Sequence, residues 1–214
     1  MSGAVQPIHV PPGLEPEDAK SMVRKAVRAA RENRPARRRQ EAAVGFVHAL
    51  ADFEHLRDAR CVAAYVSRPA EPGTLPLLED LALRGVRVLL PVLGPGLERG
   101  WAPFAGTEDL LERAPGRPPE PGTERLGAAA LEEADVIVAP ALAVDTSGAR
   151  LGQGGGWYDR ALGHKRPDAK VVALVFPEEV YDAAGSPIPT EPHDVPVDAI
   201  ATPSGWRWTA AGGA

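Results

Sequence analysis

Cysteine occurs once in the 214 residues, at Cys61, inside the apolar run Cys61-Val62-Ala63-Ala64-Tyr65-Val66. A disulfide framework is excluded, the thiol reads as a buried strand residue rather than a nucleophile, and a reducing compartment is expected. No apolar stretch reaches the roughly 20 residues that a membrane span requires. The chain does not open on a basic segment followed by an apolar run, so neither insertion nor secretion is signalled and a cytoplasmic protein is expected. The five histidines form neither an HxxxH nor an HExxH pattern, and no Ser or Cys stands in a recognisable nucleophile elbow. Zinc chemistry and hydrolytic triads are therefore poorly supported.

Glycine, by contrast, is concentrated. In Gly148 to Arg160, GARLGQGGGWYDR, four glycines occupy five consecutive positions, 152 and 154 to 156, around Gln153. Glycine takes φ > 0 without steric cost, so successive N–H groups can converge into a nest for phosphate oxygens. The apolar run Asp135 to Pro140 precedes this loop and Trp157 to Leu162 reads as a helix start, giving the strand, loop and helix order of phosphate sites. No GK[ST] follows, so this is not a Walker A loop, and Trp157 stands where a dinucleotide fingerprint needs its last glycine. Cations must come from elsewhere. A plain chain-reversing turn is the competing reading of the glycines, but Arg150, Gln153, Asp159, Arg160 and Lys165 crowd the loop with more polar groups than such a turn needs. Asp159 suits a magnesium contact beside phosphate, and equally a carboxylate in the first turn of a helix.

The net charge of −5 conceals a strong polarity, because the segment from Asp18 to Gln40 holds nine Lys or Arg against two acids. Glu17 to Arg34 reads as a helix with Val23, Ala26, Val27 and Ala30 on its apolar stripe. Lys20, Arg24, Arg28 and Arg31 form a ridge beside that stripe. Such a ridge is commonly a solvated face, but it could also supply the cations that the glycine loop lacks. Pro35 interrupts the pattern, and Ala36 to Leu56 resumes it as a packing helix. The basic stretch contains no Phe, Tyr or Trp for base stacking and the remainder of the chain is acidic, so nucleic acid is not an expected partner.

Further on, apolar runs at Val62 to Val66, Val86 to Pro91, Asp135 to Ala139 and Val171 to Val175 alternate with helical segments such as Leu75 to Arg84. This predicts an α/β fold of three layers, a mostly parallel sheet flanked by helices, with an N-terminal helical pair. A 44% hydrophobic content supports a sizeable core, and one domain over residues 1–214 is expected, with 1–16 and 209–214 as frayed tails. The Pro- and Gly-rich segment Gly94 to Glu124 reads as an excursion able to cover a ligand.

Lys20-x-x-x-Arg24, Ser67-Arg68-Pro69-Ala70-Glu71, Pro119-Glu120-Pro121 and RLGQGGGWYDR together resemble the 5-formyltetrahydrofolate cyclo-ligase (methenyltetrahydrofolate synthetase) family, from about Ala19 to Thr202. The resemblance implies an ATP- and Mg²⁺-dependent ligase that converts 5-formyltetrahydrofolate to 5,10-methenyltetrahydrofolate. It further implies that the formyl oxygen is phosphorylated first and that N10 then closes on the activated carbon. By position it implies ATP contacts from Lys20, Arg24, Arg150, Leu151, Gly152, Gln153, Gly154, Gly155, Gly156, Trp157 and Tyr158. Folate contacts are implied for Val66, Glu71, Glu120 and Gln153 to Trp157, metal contacts for Asp159 and Asp198, and catalytic roles for Arg150 and Tyr158. Asp198 also fits a turn at a strand end, and Glu71 a solvated loop. Family members usually carry an aromatic residue shortly before the Pro-Glu-Pro triplet, where this chain has Gly116-Arg117-Pro118, so the stacking contact to the pterin is either missing or supplied by Trp101 or Phe104. Trp157 and Tyr158 are expected to pack the loop onto the core, and Trp206 and Trp208 receive no role. Reduced folate and ATP are the implied partners of a monomer or weak dimer. A nucleotide- or phosphometabolite-binding module without ligase activity is the alternative.

Overall fold

The β-branched runs form one seven-stranded sheet in the computed structural model, which describes residues 5–11, 13–94, 98–114 and 116–213. The strands in chain order begin with β1 (Cys61–Ala63), β2 (Arg87–Leu93) and β3 (Arg99–Pro103), followed by a two-stranded ribbon, β4 (Leu110–Leu111) with β5 (Glu120–Pro121). Next come β6 (Val136–Pro140), β7 (Ala143–Asp145), β8 (Arg150–Leu151), β9 (Lys170–Leu174), β10 (Val180–Tyr181), β11 (Ala199–Thr202) and β12 (Gly205–Trp208). The main sheet runs β12-β11-β9-β6-β1-β2-β3, with its inner strands parallel and β3 and β12 antiparallel at the edges. A smaller sheet, β10-β7-β8, stands beside it.

Strand side chains alternate between faces, and each face buries its own helices. Val62, Val88, Leu90, Val136, Val138, Val172 and Leu174 pack against Phe46 and Leu50 of α2 (Ala36–Leu50) and Leu77, Leu78 and Leu81 of α4 (Leu75–Leu83). Ala63, Leu89, Ile137, Ala139, Val171 and Ala173 face the other way, onto Leu131 and onto Ala161 and Leu162 of α5 (Trp157–Leu162). Three layers result, as the alternating pattern requires. The first helix, α1 (Pro16–Glu32), lies apart from this sandwich: its Val23 and Val27 pack on Ala143, Leu151 and Tyr181 of the small sheet. The two N-terminal helices thus serve different sheets.

Three segments differ from expectation. The second helix stops at Leu50 instead of reaching Leu56, because Phe53 turns inward and caps a separate one-turn helix, α3 (Glu54–Arg57). Phe53 meets Trp206 and Trp208 with ring centroids 4.7 and 5.5 Å apart, which gives those tryptophans a packing role on the edge strand. The described parts of the expected tails are docked: Gln6 donates to the Val180 carbonyl at 3.0 Å, and Ile8 and Val10 pack on the α1 cluster. At the other end, Ala210 and Ala211 donate backbone N–H groups to Thr146 and Ser147.

Candidate functional site

The glycine loop leaves the small sheet at β8 and enters α5. Only two of its glycines use φ > 0, Gly154 at +101° and Gly156 at +58°, the latter turning the chain directly into the helix. Gly152 is small for another reason, since a Cβ there would stand 3.1 Å from Nη1 of Arg150. As α5 has six residues, its dipole adds little, and anion affinity must rest on the loop amides and nearby cations.

Those cations come from the α1 ridge, which faces the loop. Arg24 Nε donates to the Gly152 carbonyl at 3.2 Å, and Arg28 Nη2 donates to the Gln153 carbonyl at 2.9 Å and to its Oε1 at 3.0 Å. Gln153 Nε2 in turn donates to Glu71 Oε1 at 2.9 Å. Helix, loop and the turn after β1 are thereby tied into one wall. Lys20, only 4% exposed, lies 2.7 Å from Glu191 and 2.8 Å from Asp194. Burial opposes the Lys20 charge, but these two carboxylates outweigh it and hold its pKa above the ordinary lysine value. Arg31 departs from the ridge's expected use, because it is buried against Glu179 beneath the small sheet.

Between these walls opens a cavity of about 670 Å³ at the carboxyl ends of β1, β2 and β6, where ligands of parallel α/β sheets bind. Every residue to which the resemblance assigns an ATP, folate, metal or catalytic role lines it except Asp198. Asp198 immediately precedes β11, and its Oδ2 accepts the Val171 N–H at 2.7 Å on the opposite, amino-terminal edge of the sheet. It is a structural carboxylate, and the metal assignment is corrected. The carboxylate of this segment that does reach the cavity is Asp194, four residues earlier, and Val195 beside it approaches Asp159 Oδ1 at 3.5 Å. Asp159 and Asp194 both line the cavity and offer hard oxygen atoms of the kind that Mg²⁺ takes, Asp159 while paired with Arg150 and Asp194 while paired with Lys20. Glu191, His193 and Asp194 also place ligand atoms within 4.8 Å of one another.

Stacking is corrected as well. Trp101 is 1% exposed and lies under the loop, edge-on to Trp157 at 5.4 Å, and neither it nor Phe104 lines the cavity. The aromatic groups that do are Tyr65, Trp157 and Tyr158. Tyr65 carries no sequence signal for a site role, because it lies in an apolar run that reads as strand to Val66, whereas pairing ends at Ala63 and Tyr65 and Val66 line the cavity.

Among the described residues, Tyr65 Oη, Trp157 Nε1 and Arg150 Nε are buried without hydrogen-bond partners. Buried donors of this kind are costly unless a ligand completes them. Arg150 is otherwise fixed by the Pro140 carbonyl at 3.2 Å and by an ion pair with Asp159. The Tyr158 hydroxyl lies 3.4 Å from the Ala64 carbonyl, and burial pushes its pKa far above the usual tyrosine range. It can donate a hydrogen bond but cannot serve as a base near neutrality. Glu120 accepts the Leu93 N–H at 3.1 Å, which secures the excursion to β2.

A glycine loop facing a basic helix, across a cavity with aromatic walls and carboxylates in its lining, gives this α/β protein a site whose shape and charge suit an anionic, ring-bearing small molecule. Residues 16–203 match the profile of the 5-formyltetrahydrofolate cyclo-ligase family. The 5-formyltetrahydrofolate cyclo-ligase of Mycolicibacterium smegmatis is 45% identical over 150 residues, covering 67% of this chain and 74% of that one. The Escherichia coli enzyme of the same name is 34% identical over 154 residues, 70% and 82% of the two chains. The NMR structure of Aquifex aeolicus 5,10-methenyltetrahydrofolate synthetase superposes with a TM-score of 0.73 at 27% identity, covering 88% of this chain and 92% of that one. The chain belongs to the 5-formyltetrahydrofolate cyclo-ligase family.

Proposed function

We propose that the cavity binds ATP beside 5-formyltetrahydrofolate and couples ATP cleavage to ring closure, giving 5,10-methenyltetrahydrofolate, ADP and phosphate. The observation that carries this reading is the convergence of the sequence-assigned residues, Asp198 aside, on one cavity with three unsatisfied donors. The triphosphate lies along the loop amides, with Lys20, Arg24 and Arg28 opposite. The pterin ring lies against Tyr65 and Trp157, and Glu71 fixes its polar edge.

In the first step the formyl oxygen attacks the γ-phosphorus, an O–P bond forms and ADP leaves. N10 then adds to the activated carbon and loses its proton, and the C–O bond breaks to release phosphate. Arg150, held in place by Pro140 and Asp159, directs its free Nε at the charge that develops on the transferred group. Mg²⁺, when bound by Asp159 and Asp194, would neutralise charge on the phosphates. Chemistry of this kind draws on positioning and electrostatics more than on an acid–base dyad. The direct test is phosphate release: the reading requires release from ATP only when 5-formyltetrahydrofolate is present, and ATP binding with no folate-dependent release would favour the binding module.

A further inference from the structure

A primary amide presents an acceptor and a donor at one end, so its partners decide which way it faces. At Gln153 the choice is made by Arg28. A guanidinium has donors only, and Arg28 directs Nε and Nη2 at Gln153 Oε1, 3.2 and 3.0 Å away, while Nη2 also donates to the Gln153 backbone carbonyl at 2.9 Å. The amide oxygen is thereby turned to α1 and the amide NH2 group to the turn after β1, where Nε2 donates to Glu71 Oε1 at 2.9 Å.

Glu71 is in consequence held at both oxygens, because Oε2 accepts the backbone N–H of Arg68 at 2.9 Å. Two neutral donors fix the plane of the carboxylate without cancelling its charge, and each oxygen keeps a further lone pair for an N–H group of a ligand. Gln153 and Glu71 line the cavity, whereas Arg28, one turn beyond Arg24 on α1, does not. It stands in the row of cations that faces the glycine loop, yet its donors are turned to Gln153.

We propose that Arg28 is a positioning residue for the folate: it orients the Gln153 amide, and that amide sets the Glu71 carboxylate against the polar edge of the pterin. The proposal rests on the folate reading of Glu71. Two arginines four residues apart on one helix then have separable tasks, Arg24 at the nucleotide and Arg28 at the folate. A carboxylate fixed before the substrate arrives loses less freedom on binding, so breaking the chain of hydrogen bonds raises KM for the folate even though Arg28 touches neither substrate.

The experiment measures kcat and KM for 5-formyltetrahydrofolate and for ATP in the unaltered chain and in Arg28→Met, Gln153→Leu, the double variant and Gln153→Glu, with urea midpoints to report folding. Arg28→Met should raise KM for the folate about three- to tenfold, the size of one lost hydrogen bond. Its charge reaches the triphosphate only at longer, screened range, so KM for ATP should change by no more than about twofold. Gln153→Leu should act alike, and the double variant should add little to either, because both substitutions cut one chain. Gln153→Glu keeps an acceptor for Arg28 but has no N–H for Glu71 and places a like charge beside it, so it should raise KM for the folate further while the tie between α1 and the loop persists. Gln153 is exposed, and its variants carry the test should Arg28→Met fold poorly. A rise in KM for ATP with KM for the folate unchanged, additive effects of the two single substitutions, or an unaltered KM for the folate in Gln153→Glu would overturn the positioning role and leave the ligase reading intact. Absence of methenyl product from the unaltered chain would overturn the folate reading and this role with it.

Discussion

Arg31 and Glu179 form an ion pair inside the protein, with side chains 3% and 1% exposed and Nε 2.7 Å from Oε1. Arg31 belongs by spacing to the same ridge as Lys20 and Arg24, yet it fastens α1 to the turn after β9 and donates at 2.6 Å to the Ala141 carbonyl. Removing one partner of such a pair strands the other in a dry interior.

Arg31→Ala should therefore destabilise the fold by about 3–5 kcal/mol, the range for breaking a buried pair. Urea unfolding checks this, and a midpoint near that of the unaltered chain would show that the pair contributes little.

Arg24→Ala acts on the cavity instead. Arg24 spans the Gly152 carbonyl and Glu17, at 3.2 and 2.8 Å. Loss of a charged donor to phosphate should raise KM for ATP about 10- to 100-fold, with the unfolding midpoint little changed. An unaltered ATP dependence would remove Arg24 from the site.

Asp194 and Asp198 separate metal binding from folding. Asp194→Asn should raise the Mg²⁺ concentration needed for half-maximal rate, because it removes a carboxylate from the cavity. Asp198→Ala should leave that concentration unchanged and cost about 1–3 kcal/mol of stability, since it strands the Val171 N–H. The reverse pattern would restore Asp198 as the metal residue.

This pair also shows what could be read from the sequence. The glycine loop and the basic helix were legible because their signals are local: composition in one case, helical spacing in the other. Which of two aspartates in His193-Asp194-Val195-Pro196-Val197-Asp198 reaches the cavity depends on where β11 begins, because a residue at a parallel strand's start lies at the edge away from the site. Periodicity marks such a boundary only to within a few residues. Trp101 misled for a related reason. Its place in a Pro- and Gly-rich segment reads as part of an excursion able to cover a ligand, whereas pairing of β3 with β2 puts it under α5.

Asp135 sets an acid-side dependence. Its Oδ2 accepts the N–H groups of Arg60 and Cys61 at 2.7 and 3.0 Å, and its Oδ1 accepts from Arg166 at 2.9 Å. Burial opposes the charge, but the Cys61 and Arg60 amides together with Arg166 outweigh it, so the carboxyl lies below the usual aspartate range. A lowered carboxyl contributes stability above its unfolded pKa, about 3.9, and loses it as the pH falls through the folded value. Asp135→Asn should accordingly be less stable than the unaltered chain at neutral pH, with the gap closing as the pH falls below about 4. Urea midpoints against pH decide this, and a gap constant down to acid pH would contradict it.

The most direct measurement mixes the protein with 5-formyltetrahydrofolate and Mg²⁺ and follows absorbance in the methenyl-folate band with and without ATP. A rise that requires ATP is the predicted result. A flat trace from protein shown separately to bind ATP would contradict ring closure in this cavity and leave a nucleotide-binding module in its place.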